Sequence, residues 1–389
     1  MNRITSCFLL AALPAAMAMT SCSEEKDEPG NGSAVSEKEQ MLALAANDYV
    51  NHTVLPTYKG MADAAIELYD LCETISEKHT AGTLAEADIK AAADVWKESR
   101  RNWELSEAFL FGPAGDYNID PHIDSWPLDK GSMDKLLDEI RKGADYSLEN
   151  NFGYGLLGFH SIEYMLFELS ADGQTSLTHT PDYTPEEIKY LLMVAEDLRN
   201  QCVCLEACWA GTENVSAEKQ EILEEADLDK DKNFGEMMIN AGKPGSIYKT
   251  YQEVAEEIIQ GCIDIADEVG NTKIGRPNQG SSLSDRNYIE SPYSLNSIED
   301  FQDNIRSISN SYFGAVDGDA SISDYIRSVN PALDTEVKEA IENSITAIAA
   351  IPEPFRENAT SQAATNAVKV TGVDLVRTLN KVYDQLSND

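Results

Sequence analysis

The chain has 389 residues, 42% of them apolar, which is enough for more than one ordinary domain with a hydrophobic core. Its 68 acidic and 30 basic side chains give a formal net charge of -38, which repels phosphate backbones and excludes non-specific nucleic-acid binding. The charge reads first as a solvated surface and second as a field that concentrates cations.

The N-terminus reads as a targeting segment. Arg3 precedes a short apolar run from Cys7 to Met19, well below the ~20 residues that span a bilayer. The run ends in Met19-Thr-Ser-Cys22, which resembles a bacterial lipoprotein signal peptide of residues 1–21 with Cys22 as the lipidated residue. Residues 22–36 are acidic and rich in Gly, Pro and Ser, a flexible tether. An acidic run straight after the lipidated cysteine resembles a surface-export signal, so the expected location is the cell envelope, lipid-anchored in the outer membrane. Beyond Cys7 and Cys22, the cysteines are Cys72, Cys202, Cys204, Cys208 and Cys262, an odd set that argues against a disulfide framework. Small buried core residues are the favoured reading, ahead of a soft-metal site at Cys204 and Cys208.

From residue 37 onward helical spacing dominates and strand signals are sparse. The pattern predicts helices at 37–55, 57–79, 84–110, 133–142, 153–170, 185–209, 246–269, 296–314, 332–350 and 361–387, with Pro56 able to kink one long first helix. Ser36/Glu39, Thr83/Glu86, Thr184/Glu187 and Ser297/Asp300 have capping-box spacing, and Asn330-Pro331 marks another helix start. The polar stretch 210–245 divides these helices, predicting an all-α fold of two four-helix-bundle-like domains side by side, at 37–235 and 240–389.

Trp96, Arg100, Trp103 and Glu107 share one helix face. Arg100 there either lies over tryptophan rings or is fixed in a site by a distant acid. The loop Asn118–Asp129 holds three aspartates, His122 and Trp126 and could line a pocket, though a surface position is the ordinary fate of His122 or Asp124. The segment after Phe152 is apolar almost all round yet carries His160 and Glu163 at i and i+3. Buried ionisable groups must pair or bind something. The two could satisfy each other in a core, form part of a metal site, or belong to a peptidase centre. Helical zinc peptidases use His-Glu-x-x-His or His-x-x-Glu-His, and Tyr164 stands where the second pattern needs histidine. In the second half, Glu290-Ser-Pro-Tyr-Ser294 leads into a helix N-terminus, a place suited to a polar site.

Taken in order, these stretches resemble the imelysin family, also called M75 peptidase-like. The matching motifs are Trp96-x-x-x-Arg100, Glu107-Ala-Phe-Leu-Phe-Gly-Pro113, Trp126-Pro-Leu-Asp129, Gly158-Phe-His160-Ser-Ile-Glu163 and Glu290-Ser-x-Tyr-Ser294, then Asp300. The family's Ser-Cys-Phe-Ser-Asp is Ser291-Pro-Tyr-Ser294-Leu here. The resemblance implies a pocket between two helical bundles, an envelope location and a link to iron uptake. It implies His160 and Glu163 as metal residues, with Arg100, Trp126, Asp129, Glu290 and Ser294 lining the pocket. Imidazole and carboxylates suit iron; zinc is less favoured, because a three-ligand site would have to recruit remote groups. The expected partners are a metal ion or iron-containing ligand, the membrane through the lipid anchor, and an outer-membrane transporter. The alternatives are a metal-dependent M75-type peptidase and an accessory interaction lipoprotein of such a transporter.

Overall fold

The computed structural model describes residues 36–144 and 153–388. The signal peptide, Cys22 and nearly all of the tether lie outside the described residues. Ten helices carry the architecture: α1 Glu37–Asp48, α2 Leu55–Ala81, α3 Glu86–Glu104, α4 Lys130–Arg141, α5 Gly158–Leu166, α6 Pro185–Ala210, α7 Tyr251–Asp267, α8 Ser297–Phe313, α9 Pro331–Ala349 and α10 Val376–Asn388. Shorter helical turns join them. No described helix is long and apolar enough to cross a membrane.

The fold is all-α, as the sequence pattern predicts. Helices α2, α3, α5 and α6 pack on one another, and α7, α8, α9 and α10 form a second group. Helix α1 packs on α7, and α3 touches α8. The Glu39 carboxylate accepts the backbone N–H groups of Tyr251 and Gln252 at 2.9 and 3.1 Å, so α1 caps the start of α7. A π-helical turn over Tyr49–Val54 joins α1 to α2 just ahead of Pro56. The wide turn lets the helix pass a residue without an N–H, so one long helix continues through the proline.

Local chemistry explains most helix starts and corrects three expectations. Thr184 and Glu187 form the reciprocal cap of α6, and Asn330 caps α9 by accepting the Leu333 N–H at 3.2 Å. At α3, however, the Asp88 carboxylate accepts the Ala85 N–H at 3.1 Å, and Thr83 is left to the preceding helix end. At α8 the cap position is Asn296, and Ser297 donates instead to the Glu290 carbonyl. The helix expected over 153–170 is only Gly158–Leu166; Phe167–Leu169 is a strand, β1, paired antiparallel with β2, Ser176–Thr178. All five cysteines of the helical region are buried and free.

Gly158 sets where α5 begins. Its φ is +73°, and a Cβ there would stand 2.1 Å from the Ile123 carbonyl oxygen. Only glycine allows this backbone to press against the loop that carries Asp124. Gly155 differs: a Cβ would meet its nearest atom, in Asp129, at an ordinary 3.5 Å. Gly158→Ala should therefore lower the unfolding free energy by about 2–4 kcal/mol, while Gly155→Ala changes it by less than about 1 kcal/mol. Urea unfolding of both variants tests this; equal losses would refute the close-approach account.

Candidate ligand and metal site

The site gathers side chains from seven places in the chain. Helix α3 brings Arg100 and Glu104, the turn Glu107–Phe109 brings Glu107, and the loop before α4 brings Asp124 and Trp126. Helix α5 brings His160 and Glu163. A π-helical turn over Glu268–Ile274 brings Lys273. The segment Glu290–Ser294 and helix α8, with Asp300 and Asn304, close the second-half side.

Arg100 is fully buried. Its guanidinium lies 2.6 Å from Asp124 Oδ1, 2.5 Å from Glu290 Oε1 and 2.5 Å from Glu104 Oε1, with Asp300 Oδ2 at 3.8 Å. An aromatic ring does lie under it, but it is Phe159, 5.4 Å away, and not a tryptophan. Lys273, also buried, stands 3.0 Å from Glu107 Oε1, 3.1 Å from Glu290 Oε1 and 5.3 Å from the centre of the Trp126 ring. Trp103 donates its indole N–H to Asp124 Oδ2 at 2.8 Å, and Ser291 and Asn296 donate to Asp300 at 2.5 Å each.

Carboxylates outnumber cations here, and the titration behaviour follows. Burial lifts Glu104 well above the ordinary carboxylate range, Glu107 to about 8 and Asp300 to about 6, each only partly offset by Arg100 or Lys273. For Asp124 burial is overcome by Arg100 and His160, and its pKa falls below the usual range. His160 sits between Asp124 Oδ1, 2.9 Å from its Nε2, and Glu163 Oε2, 3.3 Å from its Nδ1. Burial opposes its charged form, but these two carboxylates prevail and raise it to about 9.

The predicted residues part company at this level of detail. His160, Glu163 and Trp126 line a cavity of about 420 Å³, together with Tyr293, Arg286 and Arg356. Glu163 Oε1 is committed to the protein: it accepts the N–H groups of Tyr293 and Ser294 at 2.9 and 2.7 Å and the Ser294 hydroxyl at 2.8 Å. Ser294 is thus a clamp on Glu163. Arg100 and Glu290 lie behind the cavity wall, in the buried ion cluster. Asp129 is exposed and caps α4 by accepting the Ser132 N–H at 3.0 Å. His122 pairs peripherally with Asp197 at 3.0 Å.

Ligand atoms of Asp124, His160 and Glu290 all come within 4.8 Å of one another, close enough to hold a metal ion. Glu163 is not in that group. A second group, Glu104, Glu107, Asp124 and Glu290, meets the same criterion; Arg100 and Lys273 sit among its oxygens and also contact Asp124 and Glu290 of the first group. In the first group Glu290 Oε2 is buried without a hydrogen-bond partner, while His160 Nε2 faces Asp124 Oδ1 at 2.9 Å. Sequence reasoning did not single out Lys273 or Glu104, and it set Asp124 aside as an ordinary loop residue. Lys273 lies in a Gly-flanked stretch with no motif; Glu104 follows Arg100 at i+4, a spacing that could have marked it.

The imelysin family profile matches residues 54–383. The chain belongs to the imelysin family. Among its relatives is the iron-regulated protein A of Synechococcus elongatus, 27% identical over 336 residues, or 85% of this chain and 82% of that protein. A crystal structure of a proposed iron-regulated protein A precursor from Parabacteroides distasonis superposes with a TM-score of 0.73 at 28% identity, covering 92% of this chain and 98% of that one. An imelysin-like protein from Psychrobacter arcticum shares the fold at a TM-score of 0.58 and 15% identity, over 91% and 96% of the two chains.

Two outcomes test the electrostatic account of this imelysin site. Lys273→Met should cost about 3–5 kcal/mol, because it leaves buried carboxylates without their cation, and adding Glu107→Gln should recover part of the loss. His160 gives the second. Its folded pKa of about 9 lies above the ordinary 6.5, so its contribution is complete below pH 6.5 and is lost as pH rises to about 9. The loss is on the order of 3 kcal/mol. In chelator-treated protein, the stability gap between wild type and His160→Gln should shrink across that range, as read by urea unfolding.

Proposed function

We propose that this imelysin captures iron, either as the ion or within an iron-containing ligand, at the His160 cavity in the service of iron uptake. The observation that carries the reading is the buried trio Asp124, His160 and Glu290, with Glu290 Oε2 left without a hydrogen-bond partner. Imidazole and carboxylate oxygen are donors that iron accepts readily. A buried carboxylate oxygen without a donor is costly, and a cation removes that cost. The cavity gives a route from solvent to His160. The iron-regulated names of the Synechococcus and Parabacteroides relatives agree with this role.

The envelope setting is part of the proposal. Cys22, carrying a lipid, would hold the chain in the outer membrane, and residues 22–36 would give the helical region reach toward a transporter that takes its cargo. Hydrolysis is less well served. Glu163, the residue a peptidase would use as base, has one oxygen engaged by three donors. Tyr164, in the place of a second histidine, accepts a hydrogen bond from Lys130 at 2.7 Å and packs against Tyr293.

Equilibrium dialysis against ferrous and ferric iron, with metal analysis of the protein, should find about one iron per chain. His160→Ala should weaken binding at least tenfold while the helical circular-dichroism signal stays unchanged. Absence of bound iron in any form between about pH 5 and pH 8 would overturn the proposal.

A further inference from the structure

The cavity beside His160 departs from the charge of the whole chain. The protein carries a net charge of -38, yet the arginine and carboxylate groups lining this cavity are Arg286, Arg356, Glu163 and Glu357. Glu163 is satisfied by Tyr293 and Ser294. Arg286 is exposed and makes no ion pair among the described residues. Arg356 is half-buried; its Nη1 donates to the Pro292 carbonyl at 3.0 Å and its Nε lies 3.5 Å from Glu357 Oε1. Its Nη2 has no partner among the described residues. Trp126, on the same wall, has a buried indole N–H without a hydrogen-bond partner. The cavity therefore offers a surplus of donors and two guanidinium groups against one loosely held carboxylate, Glu357.

We infer that this cavity takes a small polycarboxylate anion, with Arg286 and Arg356 each holding one carboxylate. Guanidinium is the side chain best matched to carboxylate, because its fork donates two parallel hydrogen bonds. A volume of about 420 Å³ suits a compact organic anion. A bare cation entering here would pass two arginines, whereas an anionic chelate is attracted by them. At physiological salt, charges more than about 8 Å away are largely screened, so the arginines outweigh the distant acidic surface. The inference rests on the iron reading in one respect: the polycarboxylate is the chelator in which iron arrives, its metal facing His160.

The test is calorimetry on the full chain in detergent, using ferric citrate, iron-free citrate, ferrous sulfate and inorganic phosphate as separate probes. Ferric citrate should bind, and the double variant Arg286→Ala/Arg356→Ala should weaken it at least tenfold. Both arginines lie outside the buried ion cluster, so the circular-dichroism signal should not change. Equal ferric citrate affinity in wild type and double variant would overturn the inference. So would phosphate competing as well as citrate, since the site would then read charge and not carboxylate. Ferrous iron binding to wild type without any citrate species binding would leave the iron proposal standing and sink this one. Arginine-dependent binding of iron-free citrate, with no iron species bound, would support the anion site and sink the iron proposal.

Discussion

Arg100 is the group on which the site depends. A fully buried guanidinium is tolerated only when its charge is met. Here the partners come from its own helix, from the loop after it, and from two second-half segments that supply Glu290 and Asp300. Glu104, Asp124, Glu290 and Asp300 thus converge on one planar fork, and the ion cluster ties α3 to the Glu290 segment and to α8. Removing any one carboxylate would leave the others with a changed balance. Such clusters fix register more than they add stability. The register they fix is the one that brings Asp124 and Glu290 beside His160.

The Glu290–Ser294 segment shows the cost of this arrangement. Ser291 has φ +48° and Leu295 φ +57°, both in the left-handed region that side chains other than glycine avoid. Strain of this kind amounts to roughly 1–3 kcal/mol per residue and persists where surrounding contacts over-determine the backbone. The contacts are visible. Ser291 donates to Asp300, and the backbone of Tyr293 and Ser294 donates to Glu163. The two ionisable residues of the Gly-x-His-x-x-Glu motif therefore divide the work. Glu163 anchors the strained segment and steadies His160, while His160 shares the metal-competent group with Asp124 and Glu290.

Much of the fold was legible because helices announce themselves through period, caps and glycine stops. The long α2, α6 and α9 follow their patterns closely, whereas the helix expected over 84–110 ends at Glu104 and gives way to a separate turn at Glu107–Phe109. The miss at 153–170 has a local cause: an apolar run reads the same as buried helix or as strand, and the turn to β1 after Leu166 carries no breaker. Within the site, motif residues were legible where a motif named them, but their jobs were not. Asp129 looks like a site acid and is a helix cap. Asp124 looks like a loop surface residue and is a hub, because its burial is decided by Arg100, Trp103 and His160 folding over it. Lys273 is set in place by a π-helical turn, which has no reliable sequence signature.

Net charge misleads in the same way. From composition, a strongly negative chain suggests a field that gathers cations. The structure separates scales. Deep in the site, buried Arg100 and Lys273 sit among the carboxylates and offset part of their charge. At the cavity, Arg286 and Arg356 make the nearest field favourable to anions. Screening confines the surface charge to its own neighbourhood, and the ligand at contact distance meets only the local groups. On the two proposals above, selection would be set jointly by Arg286 and Arg356 in the cavity and by the Asp124–His160–Glu290 group. A cargo with an anionic exterior and a metal centre would then meet both sets of groups, while a free cation would meet only the second.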